Sequence, residues 1–368
     1  MKFVKTEDME IGRLIGKPVY NSKGVLLYNS GVKISAQMLS NFREMELYGT
    51  YVLDNGEPVP PITDEEQEFE RFQSMHTYDV NDILTAVVQE KGTKGREELV
   101  DVIMRRFGSL SGKMVFNQCV RSEKDFISKH TLNVAILSVM IADKMKFDSK
   151  EKKYLIEAAL FHEVGKLLVP PNILHKKEKL TEAEMQVIYK CLLQGFEMLG
   201  RNYQYPAGVR RYIIQLSKEM SDKLLGGVKT SQTLLPGTKI LQVADIYDIL
   251  TAIRPYKEPV SALSAIQTIR KEPENYDSLT VDALEACLNI LPVGSYVRLS
   301  NHEQAIVIRE NPKSLLRPVV LGLKTNKLYD LANRAVREEI QIVDTVFTTD
   351  NRLKIQADRV KEFMAKRQ

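Results

Sequence analysis

Cysteine is scarce in this sequence of 368 residues, and its three copies are widely spaced. Cys119, Cys191 and Cys287 form no CxxC pair, which argues against both a structural zinc ribbon and a disulfide framework. The chain is therefore expected to fold in a reducing compartment, and we predict a cytoplasmic protein.

A large net charge of either sign is also missing. The 52 lysine and arginine residues nearly balance 48 acidic residues, which leaves a formal net charge of +4. So small a difference produces no broad field that would attract nucleic acid or a membrane surface. We expect no nucleic-acid partner, and any anion-binding site must be local.

Long apolar runs are absent as well. The longest, 134–142, is interrupted by Ser138 and has about half of the roughly 20 residues that span a bilayer. The first residues lack the apolar core of a secretory signal, and Glu7, Asp8 and Glu10 follow at once. No membrane insertion is expected.

The composition that remains, 43% hydrophobic and 27% charged, is typical of a globular protein with its own core. The apolar patterning predicts a multidomain, mainly α fold, in which a central all-helical domain is flanked by two small modules. The predicted segments are an α+β module (1–56), an acid- and proline-rich linker (57–70), the helical domain (71–291), a β module (292–345) and a charged tail (346–368).

Two apolar stripes at helical spacing lie in the central domain, one through Val134, Leu137 and Ile141 and the other through Leu155, Ala159 and His162. Thr181 and Glu184 have the spacing of a capping box, which predicts that a further helix begins there.

Side chains able to bind a metal ion fall on this helical framework. His162 and Glu163 are adjacent and can offer nitrogen and oxygen ligands from one helical turn, although such a pair is more often an ordinary surface pair. His130 begins the other stripe, so two histidines point inward and need polar partners. Asp245 follows the apolar segment 240–244, where an unpaired carboxylate would be costly, and Asp248 is a second candidate acid.

Several motifs resemble the HD superfamily of metal-dependent phosphohydrolases, and more closely its HD-GYP branch, over most of 125–269. The motifs are HTLNVA at 130–135, AALFHEVGK at 158–166, PNIL at 171–174, KLT at 179–181, VADIYD at 243–248 and RPYK at 254–257. The resemblance implies a helical HD domain of bacterial origin that hydrolyses a cyclic dinucleotide, such as cyclic di-GMP, at two or three iron, manganese or similar ions.

The resemblance also implies residue roles. The metal ligands would be His130, His162, Glu163 and Asp245, with Lys166 and Glu163 in catalysis. The phosphates of the substrate would be contacted by Lys166, Arg254 and Lys257, each of which could instead pair with acids of its own helix.

Departures from the HD-GYP pattern reduce the number of metal ligands that we expect at the site. Glu163 stands where the family has aspartate, Cys191 where a histidine is expected, and Ser217 and Lys218 where two histidines are expected. The segment 223–226 replaces the glycine-tyrosine-proline element. Cys191 is a doubtful metal ligand or a small buried hydrophobe. Lys218 either replaces the metal ion by neutralising Glu163 or Asp245, or is a surface lysine.

Three functions remain open on the sequence. The first is a degenerate signalling protein, weak or inactive as a cyclic di-GMP phosphodiesterase, that acts by binding a nucleotide or a protein. The second is an active phosphohydrolase with a mononuclear metal site, acting on a cyclic dinucleotide or another phosphorylated small molecule. The third is a structural protein whose polar cluster is an ion-pair network. A protein partner is expected under the first, and the oligomeric state, a homodimer included, is left open.

Overall fold

A computed structural model of the chain describes residues 1–21, 23–45, 47, 49–118, 125–176, 178–225, 234–252, 259–311, 314–346, 352, 353 and 355, with the backbone alone over 219–225. Within these residues there are twelve α-helices and ten β-strands. The helices concentrate in the middle of the chain, and small sheets lie near both ends. The predicted fold class, a central helical domain between two small modules, is confirmed.

The N-terminal module is built from short strands and one helix. Its elements are β1 (Lys2–Lys5), β2 (Leu14–Ile15), β3 (Val19–Tyr20), β4 (Leu26–Tyr28), α1 (Ala36–Glu44) and β5 (Gly49–Leu53). Strands β1, β5 and β2 form an antiparallel sheet with β5 in the centre, and β3 pairs with β4. The Ser35 hydroxyl caps α1 by accepting the Met38 N–H, and the buried Phe42 of α1 joins the core of this module.

Helices make up the central domain. They are α2 (Asp64–Val88), α3 (Arg96–Phe107), α4 (Phe126–Lys144), α5 (Ser149–Phe161), α6 (Pro171–Leu174), α7 (Glu182–Asn202), α8 (Ala207–Leu225), α9 (Pro236–Thr251), α10 (Ala262–Arg270) and α11 (Ser278–Cys287). A short 3₁₀ helix, Val164–Leu168, follows α5. The predicted capping box of Thr181 and Glu184 is present and starts α7.

Helix α4 is buried on all sides over most of its length. It packs against α2, α5, α9 and α11, so polar side chains on α4 face other helices rather than water. Such a helix brings any histidine it carries into the interior, where the ring must find a hydrogen-bond partner or a ligand. This packing places His130 at the centre of the domain.

The C-terminal module is an antiparallel sheet with one short helix. Its elements are β6 (Tyr296–Leu299), β7 (Gln304–Arg309), β8 (Val319–Gly322), β9 (Leu328–Asp330), α12 (Arg334–Glu339) and β10 (Ile342–Thr345), with the strand order β10-β6-β7-β8-β9. Asp344 of β10 accepts hydrogen bonds from Ser261 (2.5 Å) and Ser264 (2.8 Å) at the start of α10. These bonds attach the sheet to the helical domain.

Helix α2 begins at Asp64, inside the segment predicted as a linker, because Thr63 and Glu66 form a capping box there. Glu66 also pairs with Arg352 (2.6 Å), a buried residue of the segment predicted as a tail. The division of the chain into domains stays a prediction. The predicted linker and the predicted tail both contribute ordered contacts. Among the described residues, no helix combines the length and apolarity needed to cross a membrane.

Candidate metal centre

Four side chains predicted as metal ligands meet in the interior of the helical domain. His130 lies on α4, His162 and Glu163 lie where α5 passes into the 3₁₀ helix, and Asp245 lies on α9. One ligand atom from each residue lies within 4.8 Å of the other three. Both histidines and Glu163 are buried, whereas the Asp245 side chain is 19% exposed. The structure therefore brings together residues that are up to 115 positions apart in the chain.

Two glycines position the segment that carries His162 and Glu163. The backbone of α7 at Cys191 and Gly195 lies directly against Gly165, so close that a Cβ on Gly195 would lie 2.4 Å from the Gly165 Cα. A Cβ on Gly165 would lie 2.3 Å from the carbonyl oxygen of Cys191. Because the neighbouring atoms are backbone, neither position has room for a side chain. The contact holds the turn after α5 against α7.

The four converging residues each leave one buried polar atom without a hydrogen bond. These atoms are His130 Nε2, His162 Nε2, Glu163 Oε2 and Asp245 Oδ1. His130 Nε2 lies 3.0 Å from Asp245 Oδ1 but is not aligned with it for a hydrogen bond, and His162 Nε2 is 3.7 Å from the same oxygen. Unpaired buried polar atoms each cost about 1–3 kcal/mol. Two imidazole nitrogens and two carboxylate oxygens are a donor set that suits a divalent transition-metal ion.

Both histidines present Nε2 to the cluster because their other nitrogen is occupied. His162 Nδ1 lies 2.6 Å from the carbonyl oxygen of Ala159, which can only accept, so Nδ1 carries the proton. His130 Nδ1 lies 2.6 Å from Asp248 Oδ2 and donates to that carboxylate in the same way. Hydrogen bonds of this kind fix the tautomer and orientation of metal-binding histidines.

Asp248 is held in turn by a buried amide network. Its Oδ1 accepts hydrogen bonds from Gln118 Nε2 (3.0 Å) and Asn133 Nδ2 (2.9 Å). Gln118 also donates to the Thr251 hydroxyl (2.9 Å), and Gln73 donates to Asn133 Oδ1 (2.9 Å). The orientation of His130 is thus supported by a second layer of polar side chains.

The cluster compensates part of its own charge when no cation is bound. Burial lowers the pKa of His130, but the carboxylates of Glu163, Asp245 and Asp248 outweigh burial and raise it to about 9. Burial raises the pKa of Glu163, but Lys166 and the two histidines outweigh it, so this pKa is lowered. The pKa of Asp245 is also lowered, since the two histidines outweigh its burial.

A divalent cation would balance these charges completely. Together with the Lys166 ammonium group, it would neutralise the carboxylates of Glu163, Asp245 and Asp248 once His130 has lost its extra proton. The residues present therefore fit one divalent ion in donor type, in burial and in charge.

Other predicted site residues lie around the cluster or away from it. The Lys166 ammonium group pairs with Glu163 Oε1, so Lys166, rather than Lys218, is the lysine in contact with the buried acid. Lys218 is exposed on α8 and lines a surface groove with Arg210. Cys191, predicted as a doubtful ligand or a small buried hydrophobe, is not one of the four clustered residues, and its Sγ lies 3.6 Å from the Leu168 carbonyl oxygen.

Arg254 and Lys257, predicted to contact phosphates, lie outside the described residues. Asp248 was recognised as a candidate acid but not as the partner of His130. The signal for that role was present, because a carboxylate three positions after Asp245 on an apolar helix must also be buried and paired. Gln118 and Asn133 carry no comparable signal.

Replacing Asp248 by asparagine is expected to weaken binding of Mn²⁺ by about 10–100-fold. All oxygens of Asp248 accept hydrogen bonds, so an amide NH₂ group would face either the His130 Nδ1–H or the donors of Gln118 and Asn133. The measurement is a Mn²⁺ titration followed by electron paramagnetic resonance.

The matched control is Asp101→Asn, at an exposed aspartate that pairs with Lys153 on the surface. It should leave the Mn²⁺ affinity unchanged. Equal affinities of Asp248→Asn and wild type would show that Asp248 does not position His130.

Comparison with known proteins agrees with this arrangement. The HD domain family model matches residues 114–279, a segment that contains all four cluster residues. The helical fold and the His-Glu pair therefore define an HD domain. Within that class, the chain is similar to HD-GYP-type proteins.

Curated relatives match part of the chain. Cyclic di-GMP phosphodiesterase PA4108 of Pseudomonas aeruginosa is 26% identical over 61% of this chain and 53% of its own length. The 3'3'-cGAMP-specific phosphodiesterase 3 of Vibrio cholerae is 28% identical over 48% of this chain and 38% of its own length. The chain thus spans about half of these relatives or less.

Among solved structures, Bd1817, an HDG"Y"P protein from Bdellovibrio bacteriovorus, matches 77% of this chain and 97% of its own, with 13% identity. The TM-score of this match is 0.42.

Proposed function

We propose that this chain is an HD-GYP-type signalling protein that binds one divalent metal ion at His130, His162, Glu163 and Asp245. The centre binds a cyclic dinucleotide and hydrolyses it weakly or not at all. The observation that carries the proposal is the convergence of four buried polar atoms, one from each residue, that have no hydrogen bond. Manganese and iron suit this mixed nitrogen and oxygen donor set.

The number of ligands supports one ion rather than two or three. Among the described residues, these four form the one group of histidine, cysteine and acidic side chains close enough to hold a metal. Cys191 contacts a backbone carbonyl group, and the Ser217 hydroxyl donates to the Ile213 carbonyl oxygen (2.7 Å). A second ion would lie about 3.5–4 Å from the first and would need ligands that bridge the two ions. Weak hydrolysis follows, because a second ion cannot share the charge of the transition state.

Each residue has a defined task in this proposal. A bound divalent ion would lower the pKa of a coordinated water molecule and withdraw charge from phosphoryl oxygens. Asp248 holds the Nε2 of His130 toward the centre. Lys166 neutralises Glu163, and its side chain is 19% exposed, so its ammonium group can also meet a phosphate. Asp245 is exposed to the same degree, which places the open side of the centre near these two residues.

The choice of ligand rests on the relatives. Their names describe phosphodiesterases that act on cyclic di-GMP or 3'3'-cGAMP, and the HD domain family model matches residues 114–279 of this chain. A cyclic dinucleotide carries two anionic phosphodiesters, which a cation and a lysine can bind together. The phosphate contacts of Arg254 and Lys257, a protein partner and a homodimer remain predictions.

An active one-metal phosphodiesterase is the second candidate, and the complete set of four ligands favours it. A purely structural ion-pair network fits less well, because a network evolved for stability would also give hydrogen bonds to the four buried atoms that have none. The two leading candidates differ only in turnover.

Binding and turnover can be measured on the same Mn²⁺-loaded protein. Calorimetry with cyclic di-GMP and 3'3'-cGAMP is expected to show binding that requires Mn²⁺. Chromatography of the linear dinucleotide product is expected to show turnover below about 0.1 s⁻¹, well under the usual range of 1–1,000 s⁻¹ for enzymes. Faster turnover would establish the second candidate. Absence of metal-dependent binding of both nucleotides would refute the proposed function.

A further inference from the structure

A surface groove follows helices α7 and α8. Its volume is about 690 Å³. Half of its lining residues have apolar or aromatic side chains, namely Tyr189, Leu193, Phe196, Tyr203, Tyr205 and Ile214. Leu193 is 41% exposed and Ile214 is 55% exposed, so two large apolar side chains of the same groove face solvent. Apolar surface grouped in this way is typical of an interaction site, and nothing in the proposed function uses it.

The groove also carries charges of both signs, one sign on each helix. Glu197 lies on α7, and Arg210 and Lys218 lie on α8. All three side chains are exposed, and none of them forms an ion pair with a described residue. By contrast, Arg201, one turn after Glu197 on α7, pairs with Glu90 (3.1 Å). The unpaired charges favour a partner whose surface carries the opposite charges in the same arrangement.

The two helices present these residues in matching order. They are joined by the short connection 203–206 and line one groove along their length, so they run in opposite directions. One face of α7 carries an acid, an apolar residue and an aromatic residue at 5, 9 and 13 positions before its last residue: Glu197, Leu193 and Tyr189. One face of α8 carries a base, an apolar residue and a second base at 3, 7 and 11 positions after its first residue: Arg210, Ile214 and Lys218. Measured from the connection, each α7 residue is thus offset from its α8 counterpart by only about 3 Å along the helix axis.

A second copy of the chain matches this pattern. When two copies face each other groove to groove across a twofold axis parallel to the helices, α7 of each copy lies on α8 of the other. Every residue keeps its distance from the connection, so Glu197 of one copy faces Arg210 of the other, and Leu193 faces Ile214. An axis perpendicular to the helices would instead place α8 on α8, with bases facing bases.

The remaining pair is also favourable. The ring of Tyr189 faces the ammonium group of Lys218 in the other copy, which allows a cation–π contact. A nucleotide or a purely acidic partner would pair with the two bases of α8 but would bring negative charge to Glu197. Charge therefore favours a second copy over these occupants.

We infer that the chain forms a homodimer in which α7 and α8 of two copies pack groove to groove as a four-helix bundle. Such an interface must be complementary to itself, and this groove meets that requirement in charge and in apolar surface. The groove follows about three turns of α7, so we expect a small interface and a weak dimer. The dimer does not rest on the metal centre, so it and the proposed function are tested independently.

Dimerisation is tested by sedimentation velocity of the full chain at concentrations up to about 100 μM, which suit a weak interface. Wild type should sediment as a dimer. Ile214→Glu brings a carboxylate against Leu193 and close to Glu197 of the other copy, and it should weaken dimerisation at least about tenfold. The matched control is Leu279→Glu, because Leu279 lies on α11, is 69% exposed and does not line the groove. This control should dimerise like wild type.

The pairing of Glu197 with Arg210 is tested by reversing the charges one at a time. Glu197→Arg and Arg210→Glu should each dimerise at least about tenfold more weakly than wild type, because each homodimer would contain two pairs of like charges. An equimolar mixture of the two variants should dimerise again, since both pairs in the mixed dimer join opposite charges. A general loss of stability cannot produce recovery on mixing.

Three results would overturn the inference. The first is a wild type that stays monomeric, which would leave the groove to a different partner. The second is dimerisation of folded Ile214→Glu as strong as that of wild type, with circular dichroism to establish the fold. The third is a mixture of Glu197→Arg and Arg210→Glu that dimerises no better than either variant alone, which would contradict the twofold arrangement of the helices.

Discussion

Replacing Gly195 by alanine is expected to destabilise the protein by about 3 kcal/mol. The new Cβ would lie 2.4 Å from the Gly165 Cα and 2.5 Å from its nitrogen, so α7 must move away from the 3₁₀ helix. Thermal unfolding should show a midpoint lowered by roughly 6 °C or more. Because Gly165 lies two positions after the metal ligand Glu163, movement of its backbone should also lower the Mn²⁺ affinity.

Gly200 offers a matched control on the same helix. A Cβ there meets only the Tyr205 hydroxyl oxygen, at 3.9 Å, and the residue is exposed. Gly200→Ala should therefore stabilise α7, by up to about 1 kcal/mol, through helix propensity. Opposite signs for the two variants are the expected result. Two equal midpoints would show that the close contact of Gly165 and Gly195 does not determine the packing of α7.

Removing the imidazole of His162 is expected to abolish metal binding at the centre. His162→Ala takes one of four ligands from a buried site that has no described substitute nearby, and we expect Mn²⁺ affinity to fall at least about 100-fold, or about 2.7 kcal/mol. The measurement is a Mn²⁺ titration by electron paramagnetic resonance, with circular dichroism to establish that the variant is folded.

His175→Ala is the corresponding control, since His175 ends the short helix α6 and is not part of the cluster. It should bind Mn²⁺ like wild type. Equal losses in both variants would indicate general destabilisation, and no loss in His162→Ala would remove this residue from the ligand set.

Local signals predicted much of the helical framework. The capping box of Thr181 and Glu184 starts α7 where expected, because its two hydrogen bonds involve residues three positions apart. The apolar stripe through Val134 and Leu137 predicted a helix where α4 lies, but α4 is more completely buried than the stripe indicated. One stripe predicts one buried face, whereas four surrounding helices bury nearly the whole of α4.

The candidate site was predictable only in part. A histidine or carboxylate within an apolar pattern indicates a buried polar group, and this signal identified His162 and Asp245. The sequence allowed Lys166 to pair either with a phosphate or with an acid of its own helix, and only the structure shows that it pairs with Glu163, three positions before it. No sequence signal indicated the hydrogen bond from Gln118 to Asp248, which lie 130 positions apart.

The extra methylene of Glu163, compared with an aspartate, has a visible consequence. Its carboxylate directs Oε1 to the Lys166 ammonium group and leaves Oε2 buried in the cluster. The longer side chain thus keeps an oxygen available to a metal ion while the other is neutralised.

Metal content is the most direct test of the central claim. The full chain would be purified without chelators, saturated with Mn²⁺ under anaerobic conditions, freed of excess metal and measured by elemental analysis against protein concentration. The four-ligand centre predicts one ion per chain, lost in His162→Ala and retained in His175→Ala. No bound ion, or two ions per chain that both depend on His162, would contradict a mononuclear centre.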